Sequence, residues 1–370
     1  MKKGTHMNRG TTMDTTATLR NELSALTTKL FSYAGSKMKF KKDFDRLHQE
    51  FGKSIKVKTY VEAFAGTLAS LFHNLAHVEA KRYIINDTNK RIINLYQQIQ
   101  ANPQELFEKF ALLENEFQRI IPEDLRNQRY VKEEFRDNLF KANQDFYLEA
   151  RAYLNQCPLD TNNAALFLFV MHHNFNGLYH ENKKGDLNVS FNWSSEMINM
   201  DAIRRSIFNL HHFFTTHVVI FENKDVFELI NTLDEKETFI YLDPPYSNSN
   251  IQYSSKAHSF NEVQTHLELI ALCQKYDYVM YSNNYEMILE KEFQACVEFQ
   301  RGNFGTKKSQ KPTHEMLALV CHIKTSYYTS IPALLGIATQ ETLYMANNLS
   351  MTPVEDTKPC SVVALLNNAA

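Results

Sequence analysis

Short apolar runs and helix-period segments alternate along most of this chain, and few architectures accommodate that order. KTYVEAF (58–64) is a short apolar run that ends in the small-residue turn AGTLAS, and helical spacing follows over 66–80. RYIIND (82–87) is a second short strand closing on an acid, and TNKRIINLYQQIQ continues as a helix. Strand, turn, helix, strand and acid make a βαβ unit. The rhythm returns with THVVIFEN (216–223), TFIYLDPP (238–245), YDYVMYSN (277–284), ACVEFQ (295–300) and EMLALVCHI (315–323) as strands. Helices over 199–212, 224–233, 260–275 and 285–292 separate most of them. The fold class is therefore α/β, a doubly wound sheet.

The rhythm breaks between 99 and 199. Residues 99–172 carry helical periodicity and read as helices over 103–117, 123–156 in pieces, and 161–173. A Gly- and Asn-rich loop follows at 174–193. The expected organisation is a loose lead-in at 1–27, whose first seven residues read as an added leader. A sheet domain takes 28–98 and 200–324, a helical domain is inserted at 99–199, and an extension at 325–370 is partly disordered. With 26 Phe and 18 Tyr against 9 Pro, disorder of the whole chain is excluded. No stretch approaches about 18 consecutive apolar residues, so no membrane partner is expected. The N-terminus has no apolar signal core and the five cysteines no CxxC pair, which points to a cytoplasmic protein with reduced thiols.

The net charge of −2 argues against a histone-like coat but leaves room for local basic patches. One lies between Lys37 and Lys58, another at Arg301, Lys307, Lys308 and Lys311, and either also reads as a solvated face. The paired histidines 172/173 and 211/212 have no third ligand at suitable spacing, so no metal is expected.

The sharpest chemical signal is Asp243-Pro244-Pro245-Tyr246, directly after the apolar FIYL. Ligand chemistry in open α/β sheets sits at the carboxyl ends of strands. Two consecutive prolines cannot continue a ladder, so the chain turns there. Such a turn offers a carboxylate, an outward carbonyl at Pro244 and an aromatic face. Those groups suit a planar exocyclic amine, with two acceptors for its two N–H bonds and a ring to stack on. Glu62-Ala63-Phe64-Ala65-Gly66-Thr67 ends the first strand, where Gly66 would let a cofactor approach the backbone ahead of a helix N-terminus. Asp87 ends the second strand about 20 residues later, the spacing of a ribose-binding carboxylate. GxGxxG is missing, which favours a nucleoside without a pyrophosphate. Tyr33-Ala34-Gly35-Ser36-Lys37 precedes the sheet. The loop 174–193 reads as a hairpin with alternation at LNVSF, whose amides, His180, Lys183 and Lys184 could read base edges and phosphates.

Taken in order, [FY]-x-G-x-K, FxG, ND, N-G-L-Y-x-x-N-x-x-G-x-x-N-V and DPPY resemble the Dam-type (D12 class, alpha group) DNA adenine-N6 methyltransferases, from about Phe31 to Ile323. The resemblance implies a Rossmann-like sheet that uses S-adenosyl-L-methionine on double-stranded DNA. Tyr33, Ala34, Gly35 and Lys37, with Glu62, Phe64 and Gly66, would hold the methionine end. Asp87 would bind the ribose and the Asp225 region the adenine. Asp243, Pro244, Pro245 and Tyr246 would be catalytic, with Asp243 also at the cofactor. The insertion would be the target-recognition domain, contacting DNA through Phe175, Asn176, Leu178, His180, Asn182, Lys183, Lys184, Asn188 and Ser190. Phe175 resembles an aromatic that inserts beside a flipped-out base. SNN (282–284) and E-x-L (315–317) resemble elements flanking the site.

Four positions depart from the family pattern. Leu68 stands where FxGxG has its second glycine, and Ser32 stands where enzymes reading GATC carry a Lys. His180 replaces a guanine-reading Arg, and Ser190 a proline. A bidentate Arg contact is worth roughly 1–3 kcal/mol of discrimination, so a recognised site other than GATC is expected. Competing readings are an amino-methyltransferase for cytosine N4, RNA adenine or protein glutamine, and a decayed methyltransferase fold that only binds DNA. A monomer is expected, and a cognate restriction endonuclease is left open as a partner.

Overall fold

The computed structural model describes residues 30–33, 35–49, 54–246, 258–284, 295–301, 313–320 and 361–367. A single sheet of seven strands runs through it: β1 Ile55–Glu62, β2 Val78–Asn86, β3 Val218–Glu222, β4 Thr238–Leu242, β5 Tyr278–Asn284, β6 Ala295–Arg301 and β7 Thr313–Val320. Their spatial order is β3-β2-β1-β4-β5-β7-β6. The first five pair in parallel, and β7 is antiparallel to both its neighbours. The mixed α/β class read from the sequence is the observed one.

Both faces of the sheet are covered, which explains the near-continuous apolar runs of the central strands. Alternate residues divide between two cores. Tyr60, Tyr83, Ile85, Phe239, Tyr241, Met280 and Leu317 face one, and Val61, Ile84, Ile240, Leu242, Val279, Tyr281 and Met316 the other. The second core is closed by α9 (Val226–Asn231) and α10 (Val263–Cys273). The first holds α1 (Lys41–Gln49), α2 (Ala69–Asn74), α3 (Lys90–Ala101) and α8 (Met200–Thr216).

The interruption of the α/β rhythm is helical: α4 Pro103–Arg119, the single turn α5 Glu133–Arg136, α6 Lys141–Gln156 and α7 Thr161–His173. Local chemistry sets their starts. Pro103 opens α4 where its missing N–H costs nothing, and Asp160 caps α7 by accepting from Asn163 N at 2.9 Å. In α7 every residue from Asn163 to Met171 is buried, which makes it the central helix of this region. At about 1.5–3 kcal/mol for each large apolar side chain buried, Leu166 to Met171 anchor this region. Its core is continuous with that of the sheet, so these helices share the first core with the strands.

Several expectations are corrected. The helix expected over 66–80 shrinks to Ala69–Asn74, and Val78–Ala80 already belong to β2. Gly66 and Leu68 hold left-handed backbone (φ 44° and 58°) just ahead of it, so the helix starts late. The first strand starts at Ile55 because Lys56 and Lys58 occupy the exposed alternate positions of β1. Those lysines pair with Glu79 and Glu237, and Lys41 with Asp45, which disperses much of the first basic cluster. In the extension, expected to be disordered in part, Val362–Asn367 form a helix, α11, with Val362 and Leu366 buried. Glu149 of α6 accepts from Val362 N at 3.0 Å and from the Ser361 hydroxyl at 2.7 Å. The expected lead-in 1–27, the helix 285–292, Lys307, Lys308, Lys311 and the rest of the extension lie outside the described residues. No helix among the described residues is long and apolar enough to cross a membrane.

Candidate active site

Strand order reverses between β1 and β4, so their carboxyl ends open a crevice there. Asp243 leaves β4 at that edge, after five fully buried residues. Pro244 is buried, and its carbonyl accepts from Asn283 Nδ2 of β5 at 3.4 Å. A carbonyl has two lone pairs, so this bond orients the turn and leaves one acceptor site. Asp243 and Tyr246 are partly exposed.

Lys37 is the chief surprise. The resemblance places it at the methionine end of a cofactor, and its ammonium lies within the Asp243 turn. Lys37 Nζ lies 2.7 Å from each Asp243 carboxylate oxygen, 2.9 Å from the Tyr246 hydroxyl and 3.1 Å from the Gly35 carbonyl. It also sits 5.1 Å from the centre of the Tyr246 ring. The Lys37 side chain is 2% exposed and Asp243 19%. His73 Nε2 donates to the Lys37 carbonyl at 2.9 Å, fixing the backbone behind it. The pairing joins residues 206 apart in sequence, which no local pattern announces.

Glu62 ends β1, at the same edge of the sheet. It is fully buried, and its carboxyl accepts from the hydroxyls of Tyr60, at 2.6 Å, and Ser70. Burial pushes it up to about 8 against the pull of those two donors. Asp87 is stitched to the neighbouring turns, accepting from Gly66 N at 3.0 Å and Asn89 N at 2.9 Å. Burial pushes its carboxyl up to about 6, with those two N–H groups opposing. Asn86, which sequence reasoning passed over, ties three strand ends together. It donates to the carbonyls of Ala63 and Lys224 at 3.0 and 3.1 Å and accepts from Lys224 N at 2.9 Å. Asp225 caps α9 through Phe227 N and pairs with His258 Nδ1 at 2.9 Å. Close by, Phe64 and Phe227 both pack on Phe260, forming an aromatic wall. Tyr33 packs beside Gly66, 3.9 Å from where a β-carbon there would lie, and Ala34 lies outside the described residues.

Leu68 stands in a backbone conformation that favours glycine. Its φ and ψ are 58° and 18°, a left-handed conformation that costs an L-residue roughly 1–2 kcal/mol. Its side chain is fully buried in the first core, which returns about 1.5–3 kcal/mol. Burial therefore offsets the strain, and the turn survives without glycine.

Loop 174–193 forms no regular ladder, only the isolated bridges Asn174–Phe191 and Glu181–Leu187. The alternation read at LNVSF persists in burial, with Leu187, Val189 and Phe191 inside and Asn188 and Ser190 outside. Phe175, Asn176, His180, Lys183 and Lys184 are exposed too, and Leu178 is half-buried. Asn182 is turned into the loop, accepting from Lys184 N and Asp186 N, so it shapes the tip. Gly177 (φ 64°) sits where a β-carbon would come within 2.9 Å of Ser32 backbone and side chain. The loop therefore packs directly on the segment that carries Tyr33 and Lys37.

Comparison with known proteins identifies the family. The family model for D12 class N6 adenine-specific DNA methyltransferases matches residues 33–301. The type II methyltransferase M.MjaIII of Methanocaldococcus jannaschii is 28% identical over 221 residues, 59% of this chain and 68% of that protein. The type II methyltransferase M1.LlaDCHI of Lactococcus lactis subsp. cremoris is 24% identical, over 71% of this chain and 86% of its own. The DNA adenine methylase of Escherichia coli (strain K12) is 25% identical, over 70% and 85%.

Proposed function

The chain belongs to the D12 class N6 adenine-specific DNA methyltransferases, and on that premise we propose that it methylates adenine in one double-stranded DNA sequence other than GATC, using S-adenosyl-L-methionine. The observation that carries this reading is the Asp243 turn, with a carboxylate, a carbonyl and an aromatic ring at the strand-order reversal. The proposed donor site is bounded by Gly66, Asp87, Tyr33 and the aromatic wall of Phe64, Phe227 and Phe260. This set fits a nucleoside without a pyrophosphate, since it offers carboxylate acceptors and apolar faces. Bound there, the donor would supply an electrophilic sulfonium methyl. Asp87 would accept from the ribose hydroxyls, and the wall would pack on the donor's adenine.

The target adenine must leave the duplex before any group here can reach it. Asp243 and the free lone pair of the Pro244 carbonyl then accept the two N6 hydrogens. That interaction weakens delocalisation of the nitrogen lone pair into the ring, so N6 would form its bond to the methyl carbon as the carbon–sulfur bond breaks. S-adenosylhomocysteine would leave, and the surplus N6 proton would pass through Asp243 to water. Tyr246 supplies the stacking face. Asn283 holds the carbonyl, and Lys37 holds the carboxylate. These contacts act by preorganised electrostatics and orientation. The intact Asp243 turn weighs against a decayed, binding-only fold.

Residues 99–199 serve in this reading as the target-recognition domain. Phe175, at 48% exposed, is the inserting aromatic. Asn176, Leu178, His180, Lys183, Lys184, Asn188 and Ser190 face the DNA. The type II names of two relatives support a cognate restriction endonuclease as partner. Action as a monomer in the cytoplasm completes the proposal.

The test is single-molecule sequencing of DNA from a methylation-deficient bacterium expressing this chain. N6-methyladenine in a single context other than GATC is the expected result. An unmodified genome despite soluble protein would overturn the reaction, and modification confined to GATC would overturn the specificity.

The raised Asp87 carboxyl gives a pH prediction. Only its ionised form accepts from both ribose hydroxyls, so affinity for S-adenosylhomocysteine should fall as pH drops through about 6. The free protein should move the other way. A carboxyl raised in the folded state stabilises it at low pH, and that contribution is lost as pH rises through about 6. Calorimetric titration and thermal melts across this range check both signs. A pH-independent affinity would remove Asp87 from the donor site.

A further inference from the structure

Arg91 is a buried cation that the proposed reaction does not use. It stands in the first turn of α3, and its backbone N–H donates to Asn89 Oδ1 at 3.0 Å. Asn89 in turn donates its own N–H to Asp87, so Arg91 is rooted in the turn that holds the candidate ribose carboxylate. Its side chain runs the other way. Nη1 donates to the Tyr179 hydroxyl and to Glu181 Oε1, both at 3.1 Å, and Nη2 donates to Asn155 Oδ1 at 3.0 Å. The Tyr179 hydroxyl also donates to Glu181 Oε1 at 2.6 Å.

These contacts grip both ends of the loop tip. Glu181 and Leu187 face each other across an isolated bridge. Arg91 holds Glu181 directly. It holds Leu187 through Asn155, which accepts from Leu187 N at 2.8 Å and donates to the Leu187 carbonyl at 3.1 Å. The residues between and beside these anchors are the exposed His180, Lys183, Lys184 and Asn188. A slip of one residue in such a segment would turn its outward side chains inward.

Stability alone is a poor reason for this arrangement. The guanidinium and its carboxylate are 4% and 14% exposed, and Arg91 Nε has no hydrogen-bond partner among the described residues. Buried ion pairs of this kind are often no more stable than apolar side chains of similar volume, and fixing one register is their best-attested use. The planar fork of an arginine serves such a fixed geometry in a way that a lysine does not.

We propose that Arg91, paired with Glu181, is a specificity-determining positioning residue that fixes the register of loop tip 181–187 and hence which bases His180 and Asn188 meet. This rests on the methyltransferase reading above. In that reading Arg91 acts through the loop and not at the substrate or the donor.

The experiment compares wild type, Arg91→Met, Arg91→Lys and Glu181→Gln. Each is assayed on duplexes carrying the sequenced site and on duplexes with one base pair changed. Circular dichroism and S-adenosylhomocysteine binding establish that each variant is folded with an intact donor site. Arg91→Met and Glu181→Gln are expected to lower the ratio of cognate to mismatched methylation about 5–150-fold at the positions read by the tip, the equivalent of one base contact. Arg91→Lys, which keeps the charge without the fork, should recover only part of that ratio. A merely structural role would lower rates on all duplexes alike and leave the ratio unchanged, which overturns the proposal. Glu181→Gln, the milder change, carries the test if Arg91→Met does not fold, and an unchanged ratio there also overturns it. Failure of wild type to methylate any adenine would sink the enzyme reading and this inference with it. Normal wild-type methylation with unchanged ratios in the variants would sink this inference alone.

Discussion

Asp243→Asn is expected to lower methyl transfer by at least about 10²–10³-fold while leaving DNA binding and fold largely in place, the scale of losing one preorganised electrostatic contact. The carboxylate has two tasks in this site. It accepts from Lys37 with both oxygens, and in the proposed reaction it accepts an N–H from the target amine. A carboxylate has about four lone-pair sites, so it can do both at once. An amide has one oxygen and an NH2 group that would point a donor at either the ammonium or the amine. One task must fail. Asp243→Ala loses as much activity, but it is the worse test. It leaves an ammonium that is 2% exposed with only the Gly35 carbonyl and the Tyr246 hydroxyl as the remaining contacts described for it. Removing one partner of a buried pair costs about 3–5 kcal/mol, which confounds chemistry with stability. Single-turnover rates on a duplex containing the sequenced site, beside thermal melts and DNA titrations, separate the two effects. Near-normal transfer by folded Asp243→Asn would eliminate the proposed mechanism.

What the sequence made legible here is what local chemistry determines. The apolar run FIYL reads as a central strand because both its faces are buried, and it is one. The helix expected over 161–173 from its periodicity is found at those residues, with Asp160 as its cap. The turn Asp243 to Tyr246 was legible because two prolines end a strand wherever they stand. Long-range contacts were not. The Lys37–Asp243 pair, the grip of Arg91 on Glu181 and the stitching by Asn86 join segments far apart in the chain, and no period or spacing encodes them. The start of β1 was misread for a different reason. Its alternating lysines form a charge cluster in sequence, and only the fold sets Glu79 and Glu237 beside them. Leu68 shows a third limit. A positive φ is expected of glycine, and only the surrounding core reveals that a leucine can hold it.

The second large effect is expected for Lys37→Met, and its sign on stability and on activity can be argued separately. On stability, the group left behind decides the cost. Asp243 is 19% exposed, so water can reach its carboxylate once the ammonium is gone. The loss should therefore be about 1–3 kcal/mol, the scale of one unsatisfied polar group, and smaller than that of Asp243→Ala. On activity, Lys37 contributes orientation rather than a reacting atom. It holds both Asp243 oxygens, the Tyr246 hydroxyl and the Gly35 carbonyl around one ammonium, so two of the three groups proposed to meet the adenine are set by it. Displacements of about 1 Å cost on the order of 10²-fold in such sites, and a fall of roughly 10–100-fold in kcat is expected with DNA affinity unchanged. Lys37→Arg should not rescue it, because a planar fork replaces a compact ammonium in a pocket that leaves the side chain 2% exposed. Rapid-quench turnover beside DNA titration gives the split between kcat and binding. Wild-type turnover in folded Lys37→Met would mean that Asn283 and the two prolines hold the turn unaided, and Lys37 would then be a stabilising contact with no part in positioning Asp243.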